Sequence, residues 1–446
     1  MAELTSNRGR KAVPEADFYA WYVVAVLMFA YTVSFIDRQI LSLLVQPIRR
    51  DLGISDTQFS LLAGFAFALF YATLGIPIAR LADRTNRRFL IMIGVVVWSV
   101  MTAACGLAKS YWQLFLARMG VGAGEATLSP AAYSMISDYF APHKLPKAIG
   151  VYAMGLYIGA GLALLAGSAV ISVVNQAGTI DLPVIGTVYP WQLTFFVVAL
   201  PGLLVLAFMA TVKEPARREH LADGTTRPSM SQPVPWAELW GFFRSNMRII
   251  VAHFLGYLAL GMVISAYLVW VPEWLRRTYG IDIAESGVIY GVCLLVFGSA
   301  GPYAGGWLAE RLARRGYRDA EFRASVIGAC VMLAFGILTP LAPTVQSAVI
   351  MLAILTFLLS FPQGLAPTIL QLIAPNRMRA QVSAIKILFA VLAGYTLGPT
   401  CVALITDYVF GYDEALRYSL AIVSGVLTPV GIGLLAYGMK PYRERP

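Results

Sequence analysis

The chain consists largely of apolar runs long enough to cross a lipid bilayer. A membrane-spanning helix needs about 20 predominantly apolar residues. Runs of roughly that length cover residues 19–46, 57–79, 89–108, 111–137, 147–174, 189–212, 248–275, 285–309, 324–342, 345–373, 381–408 and 415–438. Hydrophobic residues make up 58% of the chain and charged residues only 13%, which excludes an ordinary soluble globular protein. We therefore predict an all-α, multi-pass membrane protein with twelve transmembrane helices.

The sequence also contains two copies of one unit. A shift of 227 positions without gaps places Gly53 on Gly280, Gly64 on Gly291, Leu81 and Ala82 on Leu308 and Ala309, and Arg87 and Arg88 on Arg314 and Arg315. A repeat close to half the chain predicts two six-helix bundles related by a pseudo-two-fold axis. A general excess of basic residues at cytoplasmic helix ends is the simpler explanation, but it does not account for the order Leu-Ala-acid-Arg in both copies.

The distribution of Lys and Arg predicts the orientation. One set of loops holds most of them, whereas the opposite loops hold only Arg49, Arg50, Lys109, Arg276, Arg277 and Arg417. Basic residues accumulate on the cytoplasmic side, so both termini are expected in the cytoplasm and the protein in the plasma (inner) membrane. The net charge of +10 then follows from this topology and from attraction to anionic membrane lipids, and it implies no nucleic-acid partner.

The expected domains follow the apolar runs. Residues 1–18 form a disordered cytoplasmic amino terminus, 19–212 one six-helix bundle, 213–247 a cytoplasmic linker, 248–438 the second bundle and 439–446 a cytoplasmic tail. The linker aromatics between Trp236 and Phe243 fit an amphipathic helix on the membrane surface. Burial of these aromatics against the bundle fits equally well. We expect a monomer.

Enzymatic motifs are absent from the sequence. It shows no nucleophile elbow, no phosphate-binding loop and no metal-ligand spacing, and its three histidines and four cysteines are scattered. We therefore expect no enzyme, no metal site and no cofactor.

Two apolar runs carry unusual charges. The first contains the adjacent Asp37 and Arg38, and the fourth contains Arg118 and Glu125. The latter two are seven positions apart, so they share one helical face with an axial separation of about 10 Å. A charge at this depth costs about 2.5 to 3.5 kcal/mol unless it meets a partner or a wet cavity. We predict that these helices touch; a purely structural ion pair is the alternative to a functional one.

Proton coupling is the functional interpretation of these charges, with Asp37, Glu125 and Arg118 as its residues. Asp37 has Arg38 beside it and Arg118 across the helix contact, so it is expected to stay ionised. Glu125 is then the carboxylate expected to exchange a proton near neutral pH. Protonation of either acid is expected to free Arg118 to change partners.

The repeated loops resemble the cytoplasmic loop motif of the major facilitator superfamily, Gly-x-Leu-Ala-Asp-Arg-x-Gly-Arg-Lys. Ala79 and Asn86 replace its glycines in the first copy, and Glu310 replaces its aspartate in the second. The Asp37-Arg38 pair, with Arg118 followed by Gly-Glu-Ala at 124–126, resembles the spinster-like, sphingolipid transporter-like branch. This second resemblance covers most of the amino-terminal half, from about Tyr31 to Gly167.

The resemblance implies a secondary active transporter in which two six-helix bundles rock around a central cavity. Its expected partners are a small amphiphilic, lipid-like substrate such as a sphingolipid derivative, protons and membrane lipids. A proton-coupled exporter of organic anions or hydrophobic drugs is the alternative. An intramembrane lipid-modifying enzyme is disfavoured, because no nucleophile or metal constellation is present.

Two further groups of residues, besides the proton-coupling residues, are expected to take part in transport. The inner gate is predicted to contain Asp83, Arg84, Arg87, Arg88, Asp138, Glu310, Arg311, Arg314 and Arg315. The substrate cavity is predicted to contain Arg118, Glu125, Tyr152, Tyr157, Gln363 and Lys386. The substrate head group is expected at Arg118 and its chain along the carboxy-terminal half. Snorkelling of Lys386 to the inner surface is favoured over a cavity position, and Tyr152 and Tyr157 serve packing as plausibly as substrate contact.

Overall fold

The computed structural model describes residues 18–82, 85–140, 145–177, 180–182, 186–215, 219–220, 226–227, 235–375 and 378–445. Within these ranges, eleven helical runs are long and apolar enough to cross a membrane. The predicted crossing at 111–137 is present as two shorter helices, Tyr111–Glu125 and Leu128–Tyr139. Neither helix alone is long enough to be among the eleven. The predicted all-α, twelve-helix membrane fold is confirmed.

The elements follow one another in chain order. The α-helices are α1 (Phe18–Gln39), α2 (Val45–Leu52), α3 (Asp56–Ser60), α4 (Ala66–Ala82), α5 (Arg87–Cys105), α6 (Tyr111–Glu125), α7 (Leu128–Tyr139), α8 (Leu145–Ala177), α9 (Pro190–Ala199), α10 (Pro201–Thr211), α11 (Trp236–Ser245), α12 (Met247–Tyr279), α13 (Ile283–Cys293), α14 (Ser299–Arg314), α15 (Ala320–Leu338), α16 (Val345–Ser360), α17 (Leu365–Ile373), α18 (Arg379–Phe389), α19 (Tyr395–Leu404) and α20 (Leu416–Arg443). We call α1–α10 the amino-terminal half and α12–α20 the carboxy-terminal half.

Several crossings change helix type along their length. Short 3₁₀ segments lie at Ile40–Leu43, Phe361–Gln363 and Asp413–Ala415, and π segments lie at Leu61–Phe65, Leu294–Gly298, Ala390–Gly394 and Ile405–Phe410. Two short antiparallel hairpins connect helices, β1 (Ile180–Leu182) with β2 (Gly186–Val188) and β3 (Glu219–His220) with β4 (Thr226–Arg227). Such departures from α geometry commonly mark functional sites or hinges.

The sequence repeat has a structural counterpart in two turns. Gly53 ends α2 with φ 64° and Gly280 ends α12 with φ 69°, a left-handed conformation that glycine adopts without strain. Two residues later, the side chains of Ser55 and Asp282 cap α3 and α13. The two halves therefore turn in the same way at equivalent positions. We call the end of the bundle with these turns the turn end, and the end with the arginine-rich loops the motif end.

Helix α8 lies between the halves and packs against both α1 and α13. Gly159 faces α1, where a Cβ atom would come within 2.8 Å of the Thr32 carbonyl oxygen, whereas Gly161 faces Leu295 of the other half. Small residues thus let α8 approach both halves closely.

The linker helix α11 divides its aromatic residues between two environments. Leu239 is buried in a cluster with residues of α17 and α18 and with Met378, and Phe242 and Phe243 pack against the same cluster. Trp236 and Trp240 on the other face are exposed. One face of α11 is thus buried against the bundle, and contact of the other face with the membrane surface stays a prediction.

Candidate functional site

The buried charges of α1 and α6 are held by close helix packing. A Cβ atom at Gly122 would lie 2.3 Å from the Phe67 carbonyl oxygen, and one at Gly124 would lie 2.6 Å from the Trp98 amide nitrogen. Helix α6 therefore rests directly on the backbones of α4 and α5. This contact fixes the Glu125 end of α6 against the rest of the half.

Arg38 and Glu125 form a buried ion pair. Nε and Nη2 of Arg38 lie 2.6 Å and 2.5 Å from Oε2 of Glu125, and the Glu125 side chain is fully buried. The guanidinium carbon also lies 4.7, 4.3 and 4.9 Å from the ring centroids of Phe35, Phe67 and Tyr71. Aromatic faces attract such a cation, so Arg38 is held by three rings and one carboxylate.

Asp37 and Arg118 lie beside this pair. Thr102 donates a hydrogen bond to Oδ2 of Asp37 at 3.1 Å, and Nη1 of Arg118 donates to the Asp37 backbone oxygen at 3.2 Å. We call Asp37, Arg38, Arg118 and Glu125 the charge cluster; its formal charges sum to zero. Oδ1 of Asp37, Oε1 of Glu125 and two nitrogens of Arg118 have no hydrogen-bond partner among the described residues. The unbonded carboxylate oxygens can therefore accept a proton, and the unbonded nitrogens of Arg118 can donate to a different partner.

The observed pairing corrects one part of the prediction. The structure brings the four charges of α1 and α6 together, but the carboxylate of Glu125 is bonded to Arg38, not to Arg118. Consecutive side chains leave a helix about 100° apart, so Asp37 and Arg38 face different neighbours: Arg38 reaches Glu125, whereas Arg118 bonds the backbone of Asp37. Protonation of Glu125 would thus release Arg38 first.

A cavity of about 240 Å³ lies next to the carboxy-terminal half. Its wall is formed by α12, by Phe361–Gln363 and the start of α17, by α18 and the π segment that follows it, and by Leu156 of α8. Most of the wall is apolar. Gln363, Lys386 and Tyr395 are the lining residues with polar side chains for which the described part of the chain provides no hydrogen-bond or ion-pair partner.

The predicted cavity residues separate into two groups. Gln363 and Lys386 line the cavity, so the favoured snorkelling of Lys386 to the surface is wrong. Arg118, Glu125 and Tyr152 are at most 1% exposed and do not face a solvent-accessible cavity in this conformation. Tyr152 instead stacks on Tyr31, with ring centroids 4.8 Å apart, which is the packing alternative. Tyr157 packs beside Gly298 and is not part of this wall.

At the motif end, Arg87 ties α5 to α7 and to the segment that follows α10. Its guanidinium contacts Oδ2 of Asp138 at 2.5 Å, Oε1 of Glu214 at 2.7 Å and the Ser134 hydroxyl at 2.8 Å. The backbone N–H of Arg88 donates to the same Glu214 at 3.0 Å. Asp83 and Arg84 lie outside the described residues. The predicted exchange of partners at this gate stays a prediction.

The second copy of the motif is more exposed. Arg314 pairs with Glu310 at 2.5 Å on the surface of α14, and Arg311 lies over the Trp307 ring at 5.3 Å. Arg315 is exposed after the end of α14. Exposed pairs of this kind contribute little to stability, so the second copy does not brace its half as Arg87 does.

The turn end carries an ion network that sequence reasoning missed. Nη1 and Nη2 of Arg277 contact both carboxylate oxygens of Asp56, at 2.6 and 2.8 Å, and Nε of Arg277 contacts Glu273 at 2.5 Å. Arg49 contacts Asp56 at 3.0 Å and Asp413 at 2.8 Å. We call these five residues the turn network. It joins the two halves, because Arg49 and Asp56 belong to one half and the other three residues to the other.

Two further contacts close the turn end. The backbone amide and the hydroxyl of Thr57 both donate to Asp407 at 2.7 Å, and Ser60 bonds Thr400 at 3.1 Å. The two halves are therefore held together at this end. Asp56 and Arg277 are almost fully buried there, so the two halves are closed over this ion pair in the described part of the turn end.

Comparison with known proteins gives a consistent result. The family model described as Major Facilitator Superfamily matches residues 27–399. The chain is 28% identical over 432 residues to a protein of Mycolicibacterium smegmatis described as an MFS-type efflux pump, covering 96% of this chain and 94% of that protein. It is 26% identical to a probable L-galactonate transporter of Escherichia coli, covering 92% of this chain and 87% of that protein.

A solved structure shows the same architecture. It is described as a bacterial homologue of the human lysosomal transporter spinster, in an inward-facing and unoccupied conformation. The TM-score is 0.78 at 28% sequence identity, with 96% of this chain and 98% of that chain covered.

Proposed function

We propose a transport function for this chain, which belongs to the Major Facilitator Superfamily. In this proposal it is a secondary active transporter that moves an amphiphilic, lipid-like small molecule across the membrane by alternating access, coupled to protons. The charge cluster is the observation that carries the proposal. Four charges inside the membrane region are expensive to maintain, and unbonded oxygens on two of them offer positions for a proton.

The surroundings of the charge cluster favour coupling between a proton and the two halves. Asp37 and Arg38 lie in the last turn of α1, immediately before the 3₁₀ segment Ile40–Leu43. The next residue, Gln39, donates a hydrogen bond to the Leu268 carbonyl oxygen of the other half at 2.6 Å. A change of charge at Glu125 would therefore act on a helix junction that touches the other half. A local charge change can bias two global states if it stabilises one of them more.

The cavity wall favours an amphiphile as substrate. The Tyr257 hydroxyl is already bonded to Ser325 at 2.6 Å, and the Ser265 hydroxyl to two backbone oxygens. Only a few polar groups remain for a ligand. A sugar acid has hydroxyl groups along its whole length, and leaving them without partners in an apolar site is unfavourable.

A sugar-like organic anion is the second candidate. The resemblance to a probable L-galactonate transporter favours it. Competition between the two substrate classes in one assay separates the candidates.

The motif end faces the cytoplasm in this proposal, and both termini lie on that side of the plasma (inner) membrane. The monomer works without a cofactor and without enzymatic turnover. Membrane lipids surround it and the proton and substrate pass through it.

Uptake into proteoliposomes tests the proposal. The purified protein is reconstituted, and uptake of a radiolabelled single-chain lysophospholipid is followed with and without an imposed pH gradient. One pH unit corresponds to about 1.4 kcal/mol per proton, so one-to-one electroneutral coupling predicts up to about tenfold accumulation. A protonophore should abolish it.

Three controls decide between the alternatives. Arg50→Gln proteoliposomes serve as the active reference, because Arg50 is exposed and its ion pair is with the neighbouring Asp51. Uptake that ignores the pH gradient would contradict proton coupling. Inhibition of lysophospholipid uptake by L-galactonate, with faster uptake of the sugar acid, would favour the second candidate.

A further inference from the structure

We propose that Lys386, on the wall that also carries Gln363, forms the head-group site of the cavity, which takes a single-chain amphiphile with one carboxylate or phosphate head. The inference rests on the proposed transport function and names its substrate class. It differs from the sequence-based expectation, in which the head group lies at Arg118. The anion site and the proton site then belong to different halves.

Lys386 has no counter-ion in the part of the chain that the structure describes. It lies on α18, lines the cavity and is only partly exposed. Among the described residues, no carboxylate pairs with it. An unpaired ammonium group in apolar surroundings is unfavourable, and a bound anion would relieve this. A lysine offers three rotatable donors, which suits either a carboxylate or a phosphate.

The neighbouring polar groups leave Lys386 as the dominant charge. His253 lies close enough to interact with Lys386 electrostatically, but its Nε2 is bonded to the Ala366 carbonyl oxygen at 2.8 Å and the residue is fully buried. Tyr257 is engaged with Ser325. None of the described residues that line the cavity is acidic. The cavity therefore presents a positive centre at one position and apolar surface elsewhere.

Arg118 is a poorer candidate for the head-group site. It is fully buried, it donates to the Asp37 backbone, and the acids of the charge cluster stand beside it. An incoming anion would meet two carboxylates there. At Lys386 it meets none.

The small volume and the apolar wall of the cavity suit one alkyl chain. Its lining residues on α12 run from Phe254 to Leu268, a stretch of helix about 21 Å long at 1.5 Å per residue. The volume of about 240 Å³ is below the range of about 300 to 1,000 Å³ that is usual for ligand pockets. The small volume favours a single chain over a larger ring system, and the apolar residues of α12 provide surface for that chain.

Direct binding to the full-length protein tests the site. Wild-type protein in lipid nanodiscs is titrated with dodecanoate, dodecyl phosphate and, as the uncharged probe, dodecanol. The two anions are expected to bind more tightly than dodecanol. Lys386→Gln should weaken both anions about ten- to a hundredfold, as for loss of one charge-assisted hydrogen bond, and change dodecanol binding less than twofold. Lys386→Arg should restore most of the anion affinity.

Each result bears on the site separately from the transport proposal. Equal weakening of all three ligands, or no weakening of the anions, would overturn the site. If Lys386→Gln does not fold, a wild-type protein that binds dodecanol as tightly as the anions would overturn it as well. Lys386-dependent binding without proton-driven uptake would leave the site in place and refute the coupling. Proton-driven uptake that is unchanged in the Lys386→Gln variant would support the coupling and refute the head-group site.

Discussion

Glu125→Gln is expected to abolish proton-driven uptake and to shift the protein away from the conformation closed at the turn end. In this conformation the carboxylate of Glu125 is ion-paired with Arg38, and Asp37 and Arg118 are the other charged groups beside it. Binding a proton removes the negative charge that holds Arg38. This closed state therefore binds a proton less tightly than a state in which the pair is broken.

The sign of the pH effect follows from that difference. Acid should populate the state open at the turn end, because that state holds the proton more tightly. The Gln side chain at position 125 carries no charge at any pH. The Glu125→Gln variant should therefore resemble acidified wild-type protein at every pH. Asp37→Asn should keep part of the pH response, because Glu125 and Arg38 remain.

Distance measurements at two pH values test this prediction. Spin labels at positions 109 and 343 report on the turn end, in a background without the four native cysteines. The wild-type distance distribution should broaden toward longer distances at low pH, while the Glu125→Gln distribution should be long at both pH values. A purely structural ion pair predicts instead that the Glu125→Gln variant is poorly folded and that the wild-type distance distribution does not change with pH.

Asp56→Asn is expected to open the turn end by weakening the turn network. Asp56 receives two hydrogen bonds from Arg277 across the two halves, and both side chains are nearly fully buried. Breaking a buried pair costs about 3 to 5 kcal/mol. Arg277 keeps Glu273 as a partner, so we take the low end, about 3 kcal/mol, which changes the closed-to-open ratio about a hundredfold.

The same labels measure this effect, now at neutral pH. Arg50→Gln is the matched control, because Arg50 occupies the position equivalent to Arg277 in the other repeat but is exposed and pairs with Asp51. Asp56→Asn should lengthen the distances and slow uptake, whereas Arg50→Gln should leave both unchanged. Identical distributions in the two variants would show that the turn network does not hold this end shut.

Sequence reasoning reached the fold because its signals are local and physical. Apolar length predicts the crossings, and the repeat predicts the two bundles. The proximity of Asp37 and Arg118 was also predictable, since isolated charges inside a membrane need partners. The choice of Arg38 as the partner of Glu125 was not, because it depends on the direction in which each side chain leaves α1 and on rings from other helices such as Phe67.

The cavity position of Lys386 was predicted only as the less favoured alternative and the turn network not at all, for different reasons. A lysine near a helix end snorkels as a rule, and nothing in the sequence shows that α12 and α17 cover Lys386. Asp56 and Arg277 are 221 positions apart, and each looks like an ordinary charged residue beside a membrane helix. The glycine turns at 53 and 280 were the available signal, because they place Arg49 and Arg277 at the same end.

The turn network also bears on the response to membrane voltage. When the halves separate, Arg49 can stay with Asp56 and Arg277 with Glu273, because both contacts lie within one half. Arg49, Asp56, Arg277 and Glu273 each keep an ion-pair partner, and the charges of the turn network remain at the turn end. A movement that carries no net charge through the membrane field is not driven by the membrane potential. Opening of the turn network should therefore add no voltage dependence of its own to transport.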